Sequence, residues 1–472
     1  MQVVSKIAAL AALAATVDAH FIQSVLVFTR HGDRTSKFYK GYEMTALGAQ
    51  QVYQSGQFYR ERYLTDSNTT HGHSHPIRGI SRSEAVASQI WASAPDQHVL
   101  YQTATNFLQG LYPPIDEAEE LNNGSSITGP LAGYQYILIH GEDASSPDTI
   151  WLKGDDECPN YDAASKSYKQ SAEYAATLAS SADFYAQFIP QLGSIMADAN
   201  VSYAKAYDVF DLINAFSVSE DNLDQLRYYA DEWEWNSNFN ASQPDRSIGG
   251  KALAGGILRQ LQAVVQGKGK TKFSLMAGSY DTFLSFFGLA DLQSASPDFM
   301  GLPAYASSMA FELFTENSAV FDEEDLYVRF HFRNGTESDK ELEAYPLFGS
   351  NTMDMPWSYF VAAMGDRAIT TVADWCVACG SEAGFCVAAN ATADAESESS
   401  VSGQGASGSG GLSNAAAGGI GAAVALAVVG LVGAAVWLAK RRRGGRDFGV
   451  APAGDVETKR VSLSESGSDR GV

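Results

Sequence analysis

Ile22-Gln23-Ser24-Val25-Leu26-Val27-Phe28-Thr29 runs without a break into Arg30-His31-Gly32-Asp33-Arg34, and this junction decides how the chain is read. The first part is a β-branched apolar run, suited to a strand covered on both faces in a parallel or mixed sheet. The second part sets two arginines and one histidine at the carboxyl end of that strand, where open α/β sheets place their sites. Guanidinium forks match phosphate oxygens two at a time. A neutral imidazole between two such forks can attack phosphorus and carry the phosphoryl group covalently. An Arg/His loop neutralised by acids such as Asp33 has the same spelling, so spacing alone leaves both readings open.

Working outward, Met44 to Tyr63 reads as a helix with Val52, Gly56, Tyr59 and Tyr63 on one stripe. A second strand-turn-helix unit lies at Phe273 to Leu289. Leu326, Val328, Phe330 and Phe332 alternate with Tyr327, Arg329, His331 and Arg333 and reach Asn334-Gly335, a hairpin signal. Between the two strand-turn-helix units, Ala163 to Ala230 is patterned for helices. The fold expected is an α/β domain over residues 20–389 with a mainly helical insertion at about 130–245.

The ends of the chain carry export signals. Lys6, the uncharged run Ile7 to Val17 and the small residues before His20 predict a signal peptide over 1–19. Residues 390–414 are Ser/Gly/Ala-rich, as in a flexible stalk. Ala415 to Ala439 has no charge and is followed by Lys440-Arg441-Arg442-Arg443, which predicts one transmembrane helix with 440–472 as a cytoplasmic tail. A glycolipid-anchor signal is the rival, but a polar tail follows the apolar segment. This single-pass type I topology puts the ectodomain outside the cell or in a vacuolar lumen, at the plasma or vacuolar membrane. Sequons at Asn68, Asn123, Asn200, Asn240, Asn334 and Asn390 fall on the exported side.

The net charge is −23, and removing leader and tail leaves the ectodomain near −26. So acidic a surface excludes nucleic acid as a partner, because phosphate backbones need a basic face. Any site for an anion must be a local cluster of arginines. Four cysteines, Cys158, Cys376, Cys379 and Cys386, predict two disulfides in an exported domain, most simply with Cys158 tied to the C-terminal cluster. A zinc half-site at Cys376 and Cys379 lacks its second half. His71, His73 and His75 can share a metal, although an exposed loop is the simpler reading.

Thr29 to Thr35 resembles the RHGxR signature of the histidine acid phosphatase family, in the phosphoglycerate mutase-like superfamily that also includes phytases. Met44-Thr45-Ala46-Leu47-Gly48 resembles the start of the helix that follows. Phe107 to Pro114 resembles a family segment ending in a proline pair, and Ser307 to Leu313 and the strand at Leu326 resemble others. The resemblance spans most of 20–386. It implies a three-layer domain with a mixed central sheet, and phosphomonoester hydrolysis through phosphohistidine with no metal or cofactor. It assigns His31 as nucleophile, Arg30 and Arg34 as ligands of a small phosphorylated substrate, and Asp281 as the acid that protonates the leaving oxygen.

Two departures stand against full activity. Tyr280 occupies the position of a family histidine that binds phosphate, and it offers one hydroxyl without charge. A further family arginine falls on Ser93, and the second arginine of that segment on Val99. One lost donor costs roughly 10²–10³ in rate. The alternative is therefore a catalytically inactive, membrane-anchored phosphate-ligand-binding or receptor-like protein. A mutase fits an exported chain poorly.

Overall fold

The computed structural model describes residues 20–65, 74–214, 216, 218–316 and 319–388. The expected leader, stalk, transmembrane helix and tail, with Asn68, His71, His73 and Asn390, lie outside the described residues. Among the described residues no helix is long and apolar enough to cross a membrane.

In chain order the domain is built from β1 (His20–Arg30), α1 (Ala46–Leu64), β2 (Ile90–Pro95), α2 (His98–Leu111) and β3 (His140–Glu142). A group of helices begins at Pro159 and includes α3 (Ala206–Ile213), α4 (Glu220–Asn238) and α5 (Ile248–Gln266), followed by β4 (Phe273–Gly278) and α6 (Tyr280–Leu289). The last strands are β5 (Ser308–Glu316), β6 (Leu326–Arg333), β7 (Glu343–Tyr345) and β8 (Asp354–Pro356), before α7 (Val372–Cys379).

The sheet order is β8-β6-β5-β1-β4-β2-β3, with β7 also paired to β6. β1 runs parallel to β4 and antiparallel to β5, so the sheet is mixed. Its uninterrupted apolar run is explained by cover on both faces. Leu26 and Phe28 join a core with α5 and α6, while Val25 and Val27 join a second core with α1 and α2. Strand period two thus feeds two helical layers from one sequence. The stripe of α1 is buried as its periodicity requires, and Thr45 caps the helix by accepting from the Gly48 N–H at 3.0 Å.

The helices between Pro159 and Asn238 have a core of their own, built on Tyr168, Tyr185, Tyr203, Phe188 and Leu226. Residues 140–142, before those helices, return a strand to the sheet. The disulfides are Cys158–Cys379 and Cys376–Cys386, packed around the buried Trp375. Cys376 and Cys379 lie one turn apart on α7 and each bridges away from the other. Asn123, Asn200 and Asn334 are exposed and Asn240 is partly so.

The hairpin expected at Asn334-Gly335 closes differently. β6 pairs with β7 through Phe332↔Glu343, so residues 334–342 form a wide loop rather than a two-residue turn. Asn334 Oδ1 is taken by the Ala304 N–H at 2.8 Å and the Ser307 hydroxyl at 3.1 Å, which draws the chain away from a tight reversal. The polar side of β6 is buried at His331 and Arg333 and partly covered at Tyr327 and Arg329. His331 Nε2 lies 2.9 Å from Glu312 Oε2, and Glu312 also accepts from Tyr63 and Arg62 on α1.

Candidate active site

β1 and β4 end together, with Arg30 opposite Gly278. Arg30-His31 therefore meets the first turn of α6, where Tyr280 and Asp281 stand. Two close approaches fix the loop. A Cβ on Gly32 would lie 2.1 Å from Gly48 O, and one on Gly48 would lie 2.0 Å from Asp33 O. Only glycines let the loop rest on the start of α1. Asp33 turns to that helix, accepting from the Thr45 hydroxyl at 2.6 Å, and so does not neutralise the arginines.

His31 is buried, and its Nδ1 lies 2.8 Å from Gly32 O. A carbonyl accepts only, so Nδ1 carries the proton and Nε2 keeps its lone pair. Burial first, then the charges of Arg30 and Arg34, hold the imidazole pKa well below its ordinary value. The Gly32 carbonyl opposes this and Lys37 adds to it. The ring stays neutral into acid.

Arg30 donates from Nη1 to Pro303 O. Its guanidinium carbon lies 4.6 Å from the Tyr305 ring centre and 5.2 Å from that of Tyr280. Arg34 Nη2 donates to the Tyr207 hydroxyl at 2.7 Å, and Nη1 lies 3.3 Å from both oxygens of Asp211. That pair is almost fully buried, with side chains 1% and 6% exposed. Both arginines keep an unpartnered, buried Nε. An unsatisfied N–H in the interior is costly, and here both lie on the residues expected to hold an anion.

Tyr280 is buried, its ring stacked on Tyr207 at 4.8 Å and its hydroxyl donating to Glu234 Oε1 at 3.3 Å. Burial, with the charge of Glu234 next, holds the phenol well above its usual pKa, so it remains a neutral donor. Burial likewise raises Glu234 to about 7, opposed by Lys37 and reinforced by Asp281. Asp281 is half-buried, and its Oδ1 accepts from the Thr282 N–H at 2.9 Å. Asp155 is pushed up by burial first and then by the Asp281 charge, which places a second carboxyl within electrostatic reach of the first.

The structure gathers Arg30, His31, Arg34 and Tyr280, with Asp281 on the same first turn. It keeps Ser93 out: the Ser93 hydroxyl is buried in β2 and donates to His140 O at 3.2 Å. Arg78 cannot replace it, since its N–H binds Ile22 O near the start of β1, away from the Arg30 end. Asp211, Tyr207, Tyr305, Glu234 and Lys37 were not anticipated. Only Lys37, three residues beyond Arg34, was within reach of the sequence motif; the others arrive from distant elements without a local pattern.

A neutral imidazole flanked by two buried guanidinium forks stands at the carboxyl edge of a mixed sheet, an arrangement whose charge suits an anion. Residues 38–333 match the histidine phosphatase superfamily (branch 2), and the chain belongs to that family. The matched stretch begins just after the Arg30–Lys37 loop, whose roles rest on its own geometry. The chain is 25% identical to human prostatic acid phosphatase over 353 residues, 70% of this chain and 81% of that protein. It is 26% identical to the mouse prostatic acid phosphatase over 380 residues, 75% and 87%. The solved phytase from Citrobacter braakii shares the fold, with a TM-score of 0.50 at 12% identity over 74% of this chain and 98% of the phytase.

Proposed function

We propose that this protein is an exported, membrane-anchored phosphomonoester hydrolase of the acid phosphatase type, acting through phosphohistidine at His31. The observation that carries this reading is the His31 tautomer: Nδ1–H is committed to Gly32 O, so Nε2 is the free nucleophile between Arg30 and Arg34. Nε2 attacks phosphorus, the bond from phosphorus to the ester oxygen breaks, and Asp281 gives its proton to the departing alcohol. Asp281 then takes a proton from the water that breaks the P–N bond, releasing inorganic phosphate and His31. Preorganised arginines stabilise the charge that spreads over the phosphoryl oxygens. Kinship with prostatic acid phosphatases supports this class of reaction.

A weak rate is part of the proposal, because Tyr280 supplies no charge and Ser93 faces the strand. The inactive phosphate binder is the second reading, favoured by the same two positions: the Ser93 hydroxyl is turned to His140 O and Tyr280 keeps only a neutral hydroxyl. Aryl phosphate hydrolysis from pH 3 to 7 by the full chain separates the two. Activity abolished by His31→Ala supports the enzyme; equal rates in both proteins leave only the binder.

A further inference from the structure

Two positions of the phosphate cradle lack charge, yet a third cation stands over it. Lys37 follows Arg34 in the same loop, and one carboxylate pins the whole segment. Asp211 Oδ2 accepts from the Ser36 hydroxyl at 2.7 Å and the Lys37 N–H at 2.8 Å, while Arg34 Nη1 lies 3.3 Å away. The Lys37 side chain turns back over the site, with Nζ 5.2 Å from the centre of the Tyr280 ring. Arg30 stands at the same distance from that ring. Two cations therefore share one aromatic ring, and three, Arg30, Arg34 and Lys37, press on the His31 charge.

An exposed loop lysine is ordinarily just solvated, and two features set this one apart. Its backbone is anchored by a buried carboxylate. Its ammonium makes no ion pair among the described residues, although Glu234 is near enough to feel its charge. Burial raises Glu234 to about 7, so in acid it offers Lys37 less counter-charge, with Asp281 and Asp208 the other carboxyls near it.

We propose that Lys37 is a phosphoryl-binding residue, its ammonium holding a non-bridging oxygen of a phosphomonoester or of inorganic phosphate above His31. It supplies from the loop the positive charge that residues 93 and 280 do not. This rests on the phosphate-handling reading of His31. The ammonium is a mobile point charge rather than a fork, so it adds attraction for a dianion without fixing its orientation.

The test uses the full chain and inorganic phosphate, with binding measured calorimetrically at pH 5 and aryl phosphate turnover measured alongside. A hydrogen bond to a charged group is worth enough that Lys37→Gln weakens phosphate binding roughly ten- to hundredfold. Lys37→Arg, which keeps the charge, stays within roughly threefold of the parent. Lys166→Gln, on an exposed helix pair with Asp162, changes nothing. Phosphate affinity unaltered in Lys37→Gln overturns the proposal while leaving His31 intact. Undiminished turnover in His31→Ala, or no phosphate binding by the parent protein, overturns the reading on which it rests.

Discussion

Asp211→Ala probes the charge balance of the cradle. The wild-type carboxylate faces Arg34 with almost no solvent on either side chain and also accepts from Ser36 and the Lys37 backbone. Removing one partner of a buried pair costs about 3–5 kcal/mol, because the other charge is left uncompensated. Arg34 keeps its bonds to Tyr207 and Thr35 O, and Lys37 reaches solvent, so the lower end applies, about 3 kcal/mol. Unfolding entropy scales at about 2 cal/mol/K per residue, which for a unit of this size lowers Tm by about 4 °C. Differential scanning calorimetry of the full chain at pH 7 reads this directly. Saturating inorganic phosphate then restores much of the loss, since a ligand at 100 times its Kd adds about 2.7 kcal/mol and the freed fork binds it whole. The wild type gains less, because there phosphate must share Arg34 with Asp211. A Tm within 1 °C or so of wild type, or a loss that phosphate does not reduce, refutes Asp211 as the counter-charge of an anion site.

Two further outcomes follow from the same geometry. Tyr280→His restores a charged or charge-capable donor at the mouth of the cradle and raises kcat/KM for an aryl phosphate about tenfold or more; an unchanged or lower rate in a folded variant contradicts the account of the gap. His31 links stability to pH. Its folded pKa is depressed, while the unfolded chain takes a proton near 6.5. The unfolded state therefore binds more protons in that window, and stability falls as pH drops from 6.5 toward the folded value. In His31→Gln this share of the slope, up to about 1.4 kcal/mol per pH unit, disappears. Parallel Tm-against-pH curves for the two proteins would rule it out.

What the sequence made legible was local. The apolar residues leading to Arg30 specify a strand covered on both faces, and the structure divides Ile22, Val25 and Val27 from Leu26 and Phe28 between two cores. The α1 stripe and the strand-turn-helix at Phe273 to Leu289 are periodic enough to be read directly. Asp211 and Tyr207, which hold Arg34, are brought by α3 from more than 170 residues away in the chain. No local spacing encodes that contact. The Asn334-Gly335 signal does not become a tight turn, because it assumes that Asn334 is free to serve the turn, whereas Ala304 and Ser307 claim it. Lys37 lies three residues beyond Arg34, but an exposed lysine carries no message in the sequence until its surroundings are known.

The central claim is that His31 Nε2 becomes phosphorylated. Mixing the full chain with aryl phosphate radiolabelled at phosphorus near pH 5, quenching rapidly into alkali and mapping the peptides under alkaline conditions tests it most directly. The account predicts an alkali-stable, acid-labile label on the peptide containing His31, lost in His31→Ala. Turnover without that label, or a label that survives the substitution, contradicts it.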